Sequence, residues 1–260
     1  MGLFDRLFGE IHVPDADGVR VLDVPSAMNL RDLGGYETPD GPTVARRFLR
    51  CGSTRCISQK DRSYLRSYGL THVLDLRGSG ESPELTCPYA REHDITWRNV
   101  TLLGQNLSDP AFAAAQQNMD YLSRGYLAML ENHETIRQAM AFLASVPFEE
   151  CALFHCAAGM DRTGVVAMLL LGLAGVSRTD IVRDYLYSFA SVREVDRFVA
   201  EGAAPESFAG SRLMGRLDTM GKVYDAVIES YVSFAAYLLA CELTQAELDQ
   251  LRRRLLTPAT

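Results

Sequence analysis

The chain has 260 residues, of which 47% are hydrophobic and 23% are charged, and its formal net charge is -7 at pH 7. This composition is typical of a globular protein, and the length allows a sizeable core. The acidic charge argues against a nucleic acid bound through a general basic surface, but it is compatible with a local positive site for an anionic substrate.

The cysteines and the apolar segments indicate the compartment. The cysteines lie at positions 51, 56, 87, 151, 156 and 241, without a close CxxC pair or histidines at ligand spacing, so a zinc site is poorly supported. The first ten residues are too broken by charge for a secretion signal, and the longest apolar run, residues 165–176, is too short to span a bilayer. We therefore expect a cytoplasmic enzyme without stable membrane insertion. Export without a signal and the oligomeric state stay open.

The first part of the chain is predicted to contain an arm, three strands and a helix. Residues 1–23 are polar and turn-rich and indicate a loosely held arm, followed by a single domain over residues 24–260. Ser58, with Asp61 three residues later, is the start signal of a helix that ends at Gly69. Short apolar stretches predict three strands, over residues 48–51, 72–77 and 96–102.

The middle of the chain is predicted to be helical on both sides of one strand. From residue 109 to residue 145, apolar side chains recur every three or four residues, which predicts helix. Ala152-Leu-Phe154 predicts a buried strand. The apolar residues 163–174 predict a buried helix that ends at Gly175.

The C-terminal part adds further helices. Helix-start signals occur at residues 177–180 and 244–247, and Gly202-Ala-Ala-Pro205 predicts a break between them. The last helix carries leucines on one face, whereas its arginines 252–254 are interpreted as a solvated face. Strands interleaved with helices predict an α/β fold, a single domain with a mainly parallel central sheet flanked by helices and a helical C-terminal part.

A tight loop, residues 155–162, connects the predicted central strand to the buried helix. Cys156 would lie near the N-terminal end of this helix, where the helix dipole and a nearby guanidinium stabilise a thiolate. The same helix end offers unpaired N–H groups to an anion, and Arg162 can bind two oxygens of one phosphate. Gly159 permits a backbone conformation that residues with a Cβ resist. These residue types in one loop point to nucleophilic attack on a phosphate.

The loop sequence, His155-Cys-Ala-Ala-Gly-Met-Asp-Arg-Thr-Gly164, resembles that of the bacterial and fungal tyrosine/lipid phosphatases, whose usual form is His-Cys-x-Ala-Gly-Lys-Asp-Arg-Thr-Gly. Residues 29–36, 49–53 and 73–77 resemble other motifs of this family in the same order. The resemblance extends over nearly the whole chain from Val24. It places the chain in the protein tyrosine phosphatase superfamily, which has the signature cysteine, five residues, arginine.

The resemblance implies a role for each loop residue. Cys156 would attack phosphorus to form a cysteinyl-phosphate, and Arg162 would bind the equatorial oxygens. Thr163 would hydrogen-bond the departing thiolate, and His155 would support the cysteine rather than act as a base. Neither a metal nor a cofactor is expected. The phosphate-binding residues implied by the motif are Ala157, Ala158, Gly159, Met160, Asp161, Arg162 and Thr163.

The general acid and the role of the N-terminal motif stay open. Asp161 matches the loop motif and is the first prediction for the group that protonates the leaving oxygen, ahead of Asp75 at the carboxyl end of its strand. Asp75 could instead form an ion pair with Arg77 or Arg31. The N-terminal motif is expected to form either a structural turn with an Arg31–Asp32 network or a direct substrate contact.

Met160 departs from the family loop, which usually carries lysine at this position. In relatives that lysine accompanies activity on phosphoinositides, so its loss would remove a cation from the rim of the site and present an apolar side chain. We therefore expect a hydrolase that acts on phosphotyrosine in proteins. Whether it has dual specificity or also accepts other phosphomonoesters stays open. The alternatives are a phosphoinositide phosphatase and a catalytically weak module that recognises phosphate. In relatives the C-terminal helices form a lid, which would lie here within residues 177–231.

Overall fold

The structure is a computed structural model, and it describes residues 19–81, 83–103, 119–190 and 219–257. Three predicted features lie outside the described residues: the arm up to residue 18, the helical pattern at 109–118 and the break at 202–205. Residues 191–218, part of the region where a lid is expected, also lie outside them.

A mixed sheet of six strands lies at the centre of the described structure. The strands are β1 (Arg20–Val21), β2 (Arg31–Asp32), β3 (Phe48–Cys51), β4 (Leu70–Asp75), β5 (Thr96–Asn99) and β6 (Cys151–His155). Their order in the sheet is β1-β2-β3-β6-β4-β5. β1 and β2 pair antiparallel at one edge, whereas β3, β6, β4 and β5 are parallel. The predicted α/β fold with a mainly parallel sheet is confirmed.

Nine α-helices are formed by the described residues. They are α1 (Gln59–Ser67), α2 (Pro83–Thr86), α3 (Tyr121–Leu130), α4 (His133–Ser145), α5 (Asp161–Ala174), α6 (Arg178–Ala190), α7 (Thr219–Tyr231), α8 (Phe234–Ala240) and α9 (Gln245–Leu256). No single helix in these ranges is long and apolar enough to cross a membrane. By length and composition α7 and α8 would pass that test only as a pair, and they are bent by 71° at their junction.

Short-range capping sets several helix ends where the sequence predicts them. The Ser58 side chain accepts a hydrogen bond from the Asp61 N–H at 3.1 Å and starts α1. Thr244 and Glu247 form a reciprocal capping box that starts α9. Gly175 ends α5 in the left-handed conformation, with φ 86°.

Other predicted boundaries are wrong. The helix predicted up to residue 145 is interrupted, because the Asn132 side chain accepts a hydrogen bond from the Thr135 N–H and caps a second helix, α4. The strand predicted over residues 96–102 ends at Asn99, and the one predicted from residue 72 begins at Leu70.

Two hydrophobic cores cover the two faces of the sheet, and β6 contributes to both. Ala152 and Phe154 belong to the larger core, which contains side chains of α3 to α9, while Cys151 and Leu153 belong to the smaller core beside α1. A strand covered on both faces is expected to be apolar along its whole length. α5 is buried almost all round, which explains its continuous apolar sequence.

The arginine cluster of α9 is only partly solvated, so the prediction of a solvated face is wrong for Arg254. Its side chain is fully buried, and its guanidinium donates to the backbone carbonyls of residues 47, 146, 147 and 150. Arg252 and Arg253 are exposed, as predicted. Arg254 therefore binds the C-terminal helix to the backbone at the opposite end of the sheet from the loop.

Candidate active site

The loop between β6 and α5, residues 156–160, follows the carboxyl ends of three parallel strands. His155, the last residue of β6, pairs with Cys51 of β3 and with Asp75 of β4. In parallel α/β sheets this edge is where ligands bind. The predicted loop therefore lies at the part of the fold where a site is expected.

Groups outside the loop bind the carbonyls of residues 157–159. The Ser53 N–H donates to the first carbonyl at 2.7 Å. The Asn29 side-chain amide donates to the second and third at 3.2 and 3.0 Å, and Arg50 donates to the third at 2.8 Å. A loop that binds an anion through its N–H groups requires its carbonyls to be engaged elsewhere, and these contacts meet that requirement.

Gly159 is required by both conformation and space. Its φ is 69°, in the left-handed region. A Cβ at this position would lie 2.5 Å from the backbone carbon and oxygen of Cys51 and 2.6 Å from the nitrogen of Gly52. The close approach of the loop to the end of β3 therefore requires glycine, in agreement with the prediction.

Cys156 is buried directly after β6, and His155 binds its backbone. The His155 Nδ1 lies 3.3 Å from the Cys156 carbonyl oxygen, which can only accept, so Nδ1 is the donor. Its Nε2 lies 3.5 Å from Asp75 Oδ2 and 3.9 Å from Cys87 Sγ. Burial alone would lower the pKa of His155, but the Asp75 charge and the Cys87 thiol raise it, and the net shift is upward.

Asp75 forms the ion pair with Arg77 that the sequence leaves as its alternative role. Arg77 donates to both carboxylate oxygens, with Nε 2.9 Å from Oδ1 and Nη2 2.6 Å from Oδ2. Burial alone would raise the pKa of Asp75, but His155 and Arg77 lower it, and the net shift is downward. Asp75, Cys87 and His155 also bring three possible metal ligands within 4.8 Å of one another. A cation there would compete with Arg77, which already binds both oxygens of Asp75.

Arg162 is held by Glu81, a residue for which the sequence offers no motif. Its Nη1 lies 2.5 Å from Glu81 Oε2 and its Nη2 lies 3.1 Å from Oε1. Glu81 Oε2 also accepts the Gly78 N–H at 2.9 Å, in the turn after β4. Burial alone would lower the pKa of Arg162, but the charges of Cys156 and Glu81 raise it, and the net shift is upward.

Asp161 and Thr163 begin α5 and lie beside the loop. The Tyr126 hydroxyl donates to Asp161 Oδ1 at 2.5 Å and lies 3.1 Å from the Tyr185 hydroxyl. Thr163 is fully buried, and its Oγ1 is one of the few buried side-chain oxygens in the described part of the chain without a hydrogen-bond partner. Such an oxygen is a candidate donor to a group that appears only during the reaction.

The model of the tyrosine phosphatase family matches residues 22–257. The chain belongs to this family. A tyrosine-protein phosphatase of Nostoc commune is 27% identical over 223 residues, which cover 80% of this chain and 74% of the relative. The triple specificity protein phosphatase PtpB of Mycobacterium tuberculosis is 26% identical over 278 residues, which cover 91% of this chain and 99% of the relative. The family and the protein tyrosine phosphatase class of enzyme predicted from the loop are thereby confirmed.

The N-terminal motif of this phosphatase has a structural role, but the predicted Arg31–Asp32 network is wrong. Arg31 is fully buried and donates to Asp184 of α6, with Nε 2.7 Å from Oδ1. Arg50 binds the other oxygen of the same carboxylate, and Tyr36 donates to Oδ1 at 3.0 Å. Asp184 thus binds both Arg31 and Arg50 near the loop. Nothing in the sequence around Asp184 indicates that it contributes to the active site.

Met160 is buried rather than presented at the rim. Its side chain is only 6% exposed and belongs to the larger hydrophobic core. The position that usually carries lysine in the family therefore contributes packing to this phosphatase and no charge.

Proposed function

We propose that this phosphatase hydrolyses phosphotyrosine in proteins through a cysteinyl-phosphate intermediate. The observation that carries the proposal is the loop itself, in which a thiol and a guanidinium lie at the two ends of a backbone whose carbonyls are bound from outside. The N–H groups of residues 157–163 would bind the phosphate oxygens at the start of α5. In this proposal Cys156 is the nucleophile and Arg162 the clamp.

Glu81 leaves one edge of Arg162 for the substrate. The Glu81 carboxylate contacts only the two Nη atoms of Arg162, so it approaches the guanidinium end-on. The remaining edge, formed by Nε and the adjacent Nη, has the spacing to bind two oxygens of one phosphate. Glu81 would therefore orient Arg162 without competing for that edge.

The first chemical step joins sulfur to phosphorus. The Cys156 thiolate attacks, the phosphorus–oxygen bond to the tyrosine breaks, and Asp161 gives its proton to the leaving phenolate oxygen. Asp161 is the better candidate acid because Arg77 occupies both oxygens of Asp75 and lowers its pKa, which keeps that carboxyl ionised. Asp75 would instead support His155.

The second step returns the thiolate. Water attacks the cysteinyl-phosphate and gives a proton to the Asp161 carboxylate, the sulfur–phosphorus bond breaks, and inorganic phosphate leaves. The buried, unpaired hydroxyl of Thr163 would donate to the sulfur as its negative charge develops. His155, bound to the Cys156 backbone, would keep the sulfur in position through both steps.

The substrate preference follows from the missing cation at Met160. A phosphoinositide carries several phosphates, and a second cation in the loop would help to bind them. With a buried methionine at this position, we propose that a single aryl phosphate is preferred. Broader specificity is the second candidate, because the name of the Mycobacterium relative describes three specificities.

A substrate panel tests the proposal. We expect wild-type enzyme to hydrolyse phosphotyrosine peptides at least about ten-fold faster than phosphoserine peptides or phosphoinositides, judged by kcat/KM. Met160→Lys should raise the relative activity on phosphoinositides, and Cys156→Ser should abolish turnover on every substrate. A clear phosphoinositide preference of the wild type would contradict the proposed substrate. Binding of phosphotyrosine without turnover would favour the recognition module.

We also propose a single catalytic domain over residues 24–260 and a cytoplasmic location. The family match over residues 22–257 supports the domain. The six cysteines form no disulfide with one another, which favours a reducing compartment. Thiol titration of protein isolated without reductant and then denatured should therefore find no disulfide among the six cysteines. A disulfide would argue against this location.

A further inference from the structure

Two buried tyrosines form a hydrogen-bonded chain that ends on Asp161. Tyr126 of α3 donates to Asp161 Oδ1 at 2.5 Å, and its hydroxyl lies 3.1 Å from that of Tyr185 of α6. Both tyrosines are 1% exposed, and their rings meet edge-on with centroids 6.2 Å apart. Neither tyrosine belongs to the loop motif.

The number of protons on the phenols determines the direction in which these hydrogen bonds run. A phenol has one proton to donate, and a carboxyl oxygen that carries no proton, as Oδ1 of Asp161 does here, can only accept. The Tyr126 proton is therefore directed at Asp161, and Tyr185 must be the donor between the two phenols. Burial and the charge of Asp161 raise the pKa of Tyr126 well above its usual value, so the phenol remains a donor at neutral pH.

We propose that Tyr126 is a positioning residue for the acid: by donating to Oδ1 of Asp161, it makes Oδ2 the oxygen that carries the proton to the leaving group. The oxygen that accepts a strong hydrogen bond is the carbonyl-like one in a protonated carboxyl group, so the proton resides on the other. This inference rests on the proposed role of Asp161 as the acid.

The same hydrogen bond strengthens during the reaction. As the Cys156 sulfur bonds to phosphorus and the phosphorus–oxygen bond breaks, the Oδ2 proton moves to the leaving phenolate oxygen. Asp161 is left as a carboxylate, which accepts the Tyr126 hydrogen bond more strongly than the neutral acid does. Tyr126 therefore stabilises the charge that proton transfer creates, in addition to orienting the carboxyl group.

Two aryl phosphates separate this role from a structural one. Phenyl phosphate has a basic leaving group that needs a proton, whereas 2,4-dinitrophenyl phosphate has a leaving group that departs without one. In Tyr126→Phe we expect kcat/KM for phenyl phosphate to fall about ten-fold or more, and that for the dinitrophenyl ester to change by less than about two-fold. The ratio of the two values cancels any loss of folded protein.

Tyr185→Phe is the matched control, because it also removes one buried phenol hydroxyl but keeps the donor on Asp161. We expect it to change the ratio by less than about three-fold. An unchanged ratio in Tyr126→Phe, or an equally large change in Tyr185→Phe, would overturn the inference.

Asp161→Asn distinguishes this failure from a failure of the proposed mechanism. If Asp161→Asn changes the substrate ratio and Tyr126→Phe does not, the role of Asp161 as the acid is supported and the role of Tyr126 is refuted. If Asp161→Asn leaves the ratio unchanged, Asp161 is not the acid and both assignments fall. If the wild-type enzyme hydrolyses neither ester, the proposed function itself is refuted.

Discussion

Replacement of Asp184 by asparagine should destabilise this phosphatase more than removal of any exposed ion pair. Asp184 is buried, and its carboxylate accepts from Arg31 at 2.7 Å, from Tyr36 at 3.0 Å and from Arg50. An asparagine keeps one acceptor oxygen, but it turns an NH2 group towards a guanidinium that also has only donors. Two buried positive charges would then lack their counter-ion.

The expected cost follows from this geometry. Removing one partner of a buried ion pair costs about 3–5 kcal/mol, since the remaining charge stays desolvated. For a chain of this size each kcal/mol lowers the melting temperature by about 2–4 °C, so Asp184→Asn should lower it by about 6–20 °C. Activity should fall as well, because Arg50 also binds the Gly159 carbonyl of the loop.

Thermal and urea unfolding measure this loss, and Asp225→Asn is the control. Asp225 accepts two hydrogen bonds from Arg178 at 2.7 Å, but both side chains are 45% exposed. The same substitution there should cost less than about 1 kcal/mol. Equal and small losses in the two variants would refute the argument that Asp184 compensates buried charge.

The pH dependence of the loss has a definite sign. Burial alone would raise the pKa of Asp184, but Arg31 and Arg50 lower it, and the net shift is downward from the ordinary value of 3.8. A carboxyl group whose pKa is lower in the folded state stabilises the fold above its unfolded pKa and loses that contribution as the pH falls through the folded pKa. The stability difference between wild type and Asp184→Asn should therefore be constant from about pH 5 to 8 and shrink below about pH 4.

Two further substitutions test the loop and its arginine. Gly159→Ala should cost more than about 2 kcal/mol and most of the activity, because its Cβ would meet backbone at 2.5 Å. Gly41→Ala, where φ is 103° but nothing lies within 4 Å, is the control, and equal costs would argue against the close contact. Glu81→Gln should lower kcat/KM about five- to ten-fold with less than about 1 kcal/mol of stability lost, measured by steady-state kinetics and urea unfolding. Tighter binding of inorganic phosphate to this variant would instead identify Glu81 as a competitor for Arg162.

Short-range features of the fold are predictable from the sequence. The helix that begins after Ser58, the helix that ends at Gly175 and the capping box at Thr244 all depend on residues within four positions of one another. The loop is predictable for the same reason, since nucleophile, glycine and arginine lie within seven consecutive residues. The interruption at Asn132 is missed because the helical periodicity continues on both sides of it.

Long-range pairs are not predictable in this way. Glu81 meets Arg162 across 81 positions, and Asp184 meets Arg50 across 134. Arg31 illustrates the physical reason, because its neighbour Asp32 is the obvious partner in sequence. Successive side chains of a strand point to opposite faces, so the two residues of β2 cannot pair with each other.

The ion pairs around the loop also explain how an acidic chain can bind a phosphate. Arg77 is balanced by Asp75 and Arg162 by Glu81, whereas Arg31 and Arg50 share the single carboxylate of Asp184. Burial and the charge of Arg31 lower the pKa of Arg50 to about 10, so it remains charged at neutral pH. Four arginines thus face three carboxylates in these pairs, and Arg50 contacts the loop directly. In a desolvated site such a charge acts on an anion with little screening, so it favours phosphate at the loop although the whole protein is negative.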